Sequence, residues 1–295
     1  MTAKTNKTLS GKERNYLTMK RSDLEKPIII GGCGGSGTTL LRKMLDAHPE
    51  IACGPELSVF DRPRLYELGT WEFYTLWHKK SFDKLDEGVV YPIRLFDQAK
   101  KENSSYFLYH LSEYATDEEF DALFDDEPET PVQLFRWLLS AYAEKKGKKR
   151  WAEKTPNNIF CFEEIAKAMP DAQFIEVIRD GRDVAYSLEN KRGIDPLRAA
   201  CRWNMAIEAG ENNFVELPEY KCWTLRYEKL VKQPEIELKS LCAFLGLSYA
   251  PAMVEETKPF DDSVGQWDGE NINPTFKRMV NLAMAEKLRA LGYAR

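Results

Sequence analysis

Five glycines fall within the seven residues 31–37 (GGCGGSG), between a β-branched run and a run with helical spacing. Residues 27–31 (PIIIG) read as a short buried strand. Residues 38–47 (TTLLRKMLDA) place apolar side chains on one helical face and stop at His48-Pro49. A strand, a glycine loop and a helix in that order open a nucleotide-binding βα unit. The glycines let successive N–H groups turn into one hollow. The helix adds its positive end, so the loop favours an anion such as phosphate.

From Gly32 the loop fits GxxxxG followed by Thr-Thr, where the P-loop pattern has lysine and then serine or threonine. Gly34, Gly35 and Gly37 supply the turn, and Ser36, Thr38 and Thr39 add hydroxyl donors. Thr38 stands in the place of the lysine that holds the β- and γ-phosphates of a triphosphate. No aspartate clearly follows an apolar strand as a magnesium ligand does, unless Asp180 serves. The loop therefore suits phosphate better than triphosphate hydrolysis. The bland reading is a glycine turn with no ligand.

Strand patterns return at 150–153, at 173–178 (QFIEVI) and at 221–227 (KCWTLRY). Helical runs fall at 159–169, 184–191, 196–211, 235–245 and 274–291. This alternation predicts an α/β fold, a P-loop-like parallel sheet flanked by helices. Residues 58–149 read as a helical insertion, not a separate domain. Its aromatic residues, such as Trp71, Phe73, Tyr74 and Trp77, fit a core better than a ligand wall. Residues 1–26 are polar and read as a flexible tail, and 27–295 as a single domain.

The run 173–178 leads into Arg179-Asp180-Gly181-Arg182-Asp183, and the next helix carries Ser187 and Lys191. The carboxyl end of a strand in a parallel sheet faces the ligand crevice. Arg179 there can fork onto a phosphate, with Ser187 in the first turns of the helix and Lys191 on the same face. Equally, Arg179 can pair with Asp183 and cap the helix. Two anion sites in one chain together favour a ligand with phosphates at both ends.

Forty-two basic residues against 47 acidic ones give a net charge of −5, which argues against a nucleic-acid partner. No stretch of about 18 apolar residues suggests a membrane span, and the polar start does not read as a signal peptide. Cys33, Cys53, Cys161, Cys201, Cys222 and Cys242 form no CxxC pair and have no histidine at ligand spacing. No metal is therefore expected. The six cysteines read as reduced packing residues of a soluble, cytoplasmic protein.

The glycine loop and the segment 174–187 (FIEVIRDGRDVAYS) together resemble the PAPS-dependent sulfotransferases. PAPS is 3′-phosphoadenosine-5′-phosphosulfate. Residues 37–56 (GTTLLRKMLDAHPEIACGPE) are most similar to the protein-tyrosine branch of that family. The likeness covers 27–56 and 150–247 well and hardly touches 58–149, where acceptor recognition is then expected. It implies that Gly34, Gly35, Ser36, Gly37, Thr38 and Thr39 hold the 5′-phosphosulfate. Arg179 and Ser187 match ligands of the 3′-phosphate. Arg226 and Tyr227, in LRYE (225–228), match residues near the adenine and that phosphate. Glu56 matches the base that takes the acceptor proton. Lys154, in EKTP (153–156), matches the lysine that steadies the sulfate and the bridging oxygen.

The chain also departs from the family. Gly35 stands where an arginine or lysine is usual, and Lys191 where the protein-tyrosine branch has arginine. Cys53 matches a disulfide cysteine of that branch, but Ala152 occupies its partner's place. The resemblance implies PAPS as donor, PAP as product, no metal, and a small-molecule, sugar or peptide acceptor bearing a hydroxyl or amine. Two other readings stay open: a P-loop kinase-like phosphotransferase using ATP and Mg²⁺, and a non-catalytic protein that binds PAP or another nucleotide. Among the histidines, His48 reads as a helix-end residue. His78 and His110 lie in the insertion, where either can stand near an acceptor. The segment 261–295 reads as a lid, in which Trp267 either covers the nucleotide or simply packs.

Overall fold

In the computed structural model, which describes residues 26–79, 85, 110–255, 264–269 and 272–293, β1 (Ile28–Gly32) is the middle strand of five. The others are β2 (Ile51–Cys53), β3 (Arg150–Lys154), β4 (Gln173–Ile178) and β5 (Cys222–Arg226). Their order is β2-β3-β1-β4-β5, and every pair is parallel. Ile28 pairs with Ala152 on one side and with Gln173 on the other, so the chain reverses its direction of growth across β1. Such a switch point opens a crevice at the carboxyl ends of the strands.

Strand alternation divides the core in two. Ile29, Ala52, Trp151, Phe174 and Ile178 face one layer; Ile28, Ile30, Ile51, Cys53, Ile175 and Val177 face the other. The second layer is covered by α1 (Thr38–Asp46), α8 (Tyr227–Lys232), α9 (Pro234–Leu245) and α10 (Ala252–Glu255). The first is covered by α4 (Pro131–Lys145), α5 (Phe162–Ala168), α6 (Gly181–Arg192), α7 (Pro196–Glu216) and α11 (Pro274–Ala290). The three isoleucines of β1 are fully buried, each contributing roughly 1.5–3 kcal/mol. The helix α2 (Thr70–Lys79) and the helix α3 (Asp117–Asp125) join the first layer through Phe73, Trp77 and Phe120. Phe73 meets Phe135 edge-on at 5.6 Å.

Three of the expected strands agree within a residue at each end, and the run at 221–227 ends as a strand at Arg226, where Tyr227 starts a helix. The strand β2 went unanticipated because three residues carry no readable period. The helix expected at 159–169 begins only at Phe162, because Pro156–Phe160 forms a tighter turn first. Most of the expected tail, the middle of the insertion at 80–84 and 86–109, and 256–263, 270–271 and 294–295 lie outside the described residues. Among the described residues, no helix is long and apolar enough to cross a membrane.

β4 carries a carboxyl into this sheet. Glu176 is buried against Gly210 of α7, and a weak hydrogen bond from Thr224 at 3.4 Å does little to offset its loss of water. Burial pushes it up to about 8, and Glu211 adds to that. A carboxyl held above its ordinary 4.5 gives stability that is complete at low pH and is lost as pH rises toward 8. Urea titrations at pH 5 and pH 8 test this. Glu176→Gln should remove one group's share of the fall, about 1.4 kcal/mol per pH unit within that window. A pH dependence identical to that of the unsubstituted protein would refute the assignment.

Candidate active site

All five strands end at the crevice with a residue singled out from the sequence. The glycine loop follows β1, Glu56 follows β2, and Lys154 ends β3. Arg179 follows β4, and Arg226 and Tyr227 stand at the end of β5.

The loop is shaped by its glycines. Gly37 caps α1 with φ +94°, and Gly35 lies at φ +93°, a region where side chains cost energy. A Cβ on Gly37 would run into the ring of Tyr227. The Ser36 N–H donates to Cys33 at 3.0 Å, and its hydroxyl is 1% exposed with no hydrogen-bond partner. Thr38 is buried in the first turn of α1, while Thr39 faces solvent. Gly35 is thus tied to the backbone conformation: a side chain there would strain this loop.

Arg179 is 4% exposed and reaches the loop directly. Its Nη1 donates to the Gly35 carbonyl at 3.1 Å, and its guanidinium lies over the Tyr227 ring at 4.6 Å. Its Nη2 stands 3.7 Å from Asp183, so that pairing is present as well. Arg179 does not cap the helix; Asp180 does, accepting from the Arg182 N–H. Ser187 is buried on α6, and Lys191 is exposed a turn later. Arg226 turns away, donating to the Leu291 carbonyl at 3.0 Å and lying against the Tyr293 ring. Asp183 does a second job unseen in the sequence: it accepts from the N–H groups of Gly265 and Trp267, both at 2.8 Å. Trp267 is buried against Phe276.

Lys154 and Glu56 form an ion pair at 2.6 Å. Lys154 is buried, in register with Ile30, and Glu56 is about one-third exposed. A buried network fixes the segment that carries Glu56. Leu57 N–H donates to Glu153 at 3.4 Å, and Ser58 N–H donates to the Thr155 hydroxyl at 3.0 Å. That hydroxyl donates to Glu153 at 2.6 Å, and Asn158 donates to both Glu153 and the Ile30 carbonyl. Burial raises Glu153 to about 7, against the pull of those hydrogen bonds. The Tyr114 hydroxyl donates to the Pro55 carbonyl from the other side.

The histidines stay out of this cluster. His48 is buried between the Ser248 carbonyl at 2.8 Å and the Glu50 N–H at 3.1 Å. His110 pairs with Glu113, and His78 lies exposed against Tyr74. Cys53 faces Ala152 across β2 and β3. The expectation of six packing cysteines needs one correction: Cys201 is exposed, because it sits on the solvent side of α7. Among the described residues, no group of three or more His, Cys, Asp or Glu is placed to hold a metal.

The sheet and the loop at its switch point define an α/β protein with a glycine loop at the centre of its crevice. The model of the Sulfotransferase family matches residues 27–251, and the chain belongs to that family. It is 27% identical to protein-tyrosine sulfotransferase 2 of Gallus gallus, over 82% of this chain and 57% of that protein. It is 28% identical to protein-tyrosine sulfotransferase 1 of Danio rerio, over 83% of this chain and 59% of that one. The chain thus spans less than two thirds of the length of these relatives. In fold it is similar to the sulfotransferase domain of a Synechococcus olefin synthase, with TM-score 0.57, 17% identity and coverage of 92% and 95% of the two chains.

The loop geometry makes a testable contrast. Gly37→Ala should lose about 1–3 kcal/mol from its backbone conformation alone, more with the Tyr227 overlap, and melt at a lower temperature. Gly34→Ala, whose Cβ would sit 3.8 Å from Arg202, should melt close to the unsubstituted protein. Equal melting of the two variants would contradict the described loop.

Proposed function

We propose that this protein transfers a sulfuryl group from PAPS to a hydroxyl, or an amine, of an acceptor. The ion pair of Glu56 and Lys154 beside the glycine loop carries this reading. The cradle fits such a donor: a buried Ser36 hydroxyl without a partner, backbone N–H groups at the start of α1, and Arg179 at the loop. PAPS brings a sulfuryl group joined to its 5′-phosphate through one bridging oxygen. Glu56 takes the acceptor's proton. The acceptor oxygen forms the new bond to sulfur as the bond from sulfur to the bridging oxygen breaks. The electron pair stays on that oxygen, now part of PAP, and Lys154 meets its charge. The loop N–H groups, Ser36, Thr38 and Thr39 hold the 5′ end. Arg179 and Ser187 hold the 3′-phosphate.

The acceptor side lies in the helices between residues 58 and 149 under this proposal, since Glu56 leads directly into them. The names of the relatives make a tyrosine peptide the first acceptor to try, with a phenol and a sugar beside it. The segment at 265–267, held by the same Asp183 that meets Arg179, serves as the cover of the 3′ end. A reducing, cytoplasmic setting belongs to the proposal, in keeping with a free Cys53 thiol whose cross-strand partner on β3 is Ala152.

Glu56→Gln should keep its affinity for PAP and lose roughly 10²–10⁴-fold in transfer of labelled sulfate from PAPS. Undiminished transfer would remove Glu56 from the role of base. Calorimetry with PAP and with ATP plus Mg²⁺ tests the reading as a whole. Tight ATP binding without PAP binding would turn it toward a phosphotransferase.

A further inference from the structure

The helix α7 buries an arginine that has no carboxylate. Arg202 is 7% exposed, and its Nη2 donates to the Asn157 side-chain oxygen at 2.6 Å. Its Nε–H has no hydrogen-bond partner, and no ion pair to it is found among the described residues. A guanidinium removed from water is costly unless an anion meets it. What faces Arg202 is the glycine loop. A Cβ on Gly34 would lie 3.8 Å from its Nε and 3.9 Å from its Nη2. The Cys33 thiol lies against it too: burial pushes that thiol up to about 11, and the charge of the guanidinium and a hydrogen bond from it pull the other way. On the same loop, the Ser36 hydroxyl is buried and unpartnered.

The cations at the ends of β3 and β4 are engaged. Lys154 holds Glu56, and Arg179 divides itself between Gly35, Asp183 and the Tyr227 ring. The loop itself has glycine at 35 and threonine at 38 where a basic residue would be sought.

We propose that Arg202 is the cation of the glycine loop, contacting the oxyanion at the 5′ end of the donor nucleotide through its free Nε–H. The proposal rests on the reading of the site as a PAPS site. It adds a ligand from a distant helix. That ligand is also joined to the base segment, because Asn157 donates onward to Asp61, which accepts from Ser58.

Two nucleotides separate this role from a packing role. PAP has both phosphates; adenosine 3′-monophosphate lacks the 5′ one. Arg202→Gln should weaken PAP roughly tenfold to a hundredfold in calorimetry and leave adenosine 3′-monophosphate within about twofold. Arg202→Lys should recover part of the PAP affinity. Undiminished PAP affinity in Arg202→Gln, or equal loss of both nucleotides, would overturn the proposal. A measurement on the unsubstituted protein stands apart from folding of the variant. The ¹⁵N-arginine Nε–H signal of Arg202, assigned by its loss in Arg202→Lys, should shift on adding PAP and stay put on adding adenosine 3′-monophosphate. A signal that ignores PAP would overturn it too. If the unsubstituted protein binds no PAP by calorimetry, the PAPS reading itself fails and the arginine falls with it. PAP binding with a silent Arg202 sinks the arginine alone.

Discussion

Parallel pairing of β1 between β3 and β4 is the constraint on which the site depends. Ile30 is opposite Lys154 on one side and Ile175 on the other, so the glycine loop, the lysine and Arg179 all emerge at the carboxyl end of the sheet. The loop lies more than a hundred residues before the lysine and the arginine in the chain. Side-chain reach alone cannot hold such separated groups to a fraction of an ångström; backbone ladders with fully buried isoleucines can. A slip of one residue in β1 would send Ile28 and Ile30 to the wrong core and Ile29 to the other.

On this frame a second, polar layer positions the acid and the lysine. Glu153 and Lys154 are neighbours in β3 and therefore point to opposite sides. Lys154 looks to Glu56, while Glu153 gathers Leu57 N–H, Thr155 and Asn158. The two carboxylates of this region thus differ in role. One is buried and holds backbone; the other is partly exposed and meets the crevice. Buried hydrogen bonds of this kind in a low-dielectric interior resist rearrangement, because a broken member is left dry and unpaired. The segment after β2 has few backbone bonds of its own, so this network supplies its order.

Much of this was legible before the fold was known, for reasons that lie in local physics. Glycine crowding, β-branched runs and helical spacing are short-range signals, and they located the loop and four of the five strands. Arg179, Lys154 and the loop stood out because each sits at the end of a readable strand. Arg226 stood out only through the family resemblance of its segment, yet its side chain belongs to the end of α11, a choice made by packing that no strand pattern records. Glu153 was seen only as a flank of Lys154. The anchoring of Gly265 and Trp267 on Asp183 joins segments more than eighty residues apart and leaves no periodic trace. Arg202 did leave one: it lies on the buried stripe of α7 with Ala199, Ala200, Trp203 and Ala206. A charge on an apolar stripe is a signal that spacing alone can show.

The placement of charge follows from the glycines. With φ +93° at Gly35 and +94° at Gly37, the loop reaches its shape by backbone conformation, and the ring of Tyr227 closes on the second of them. A residue with a long basic side chain at 35 would have to adopt a costly conformation or undo that shape. Positive charge then has to come from outside the loop, from strand ends and from α7. Side chains rooted in strands and long helices lose less freedom when they bind than side chains on a flexible loop, because packing has already ordered them. The same rooting limits them: such a cation cannot follow a ligand that shifts. A crevice organised in this way therefore favours an anion held at one fixed depth over one that must move between steps, which is what an in-line transfer between two stationary oxygens requires.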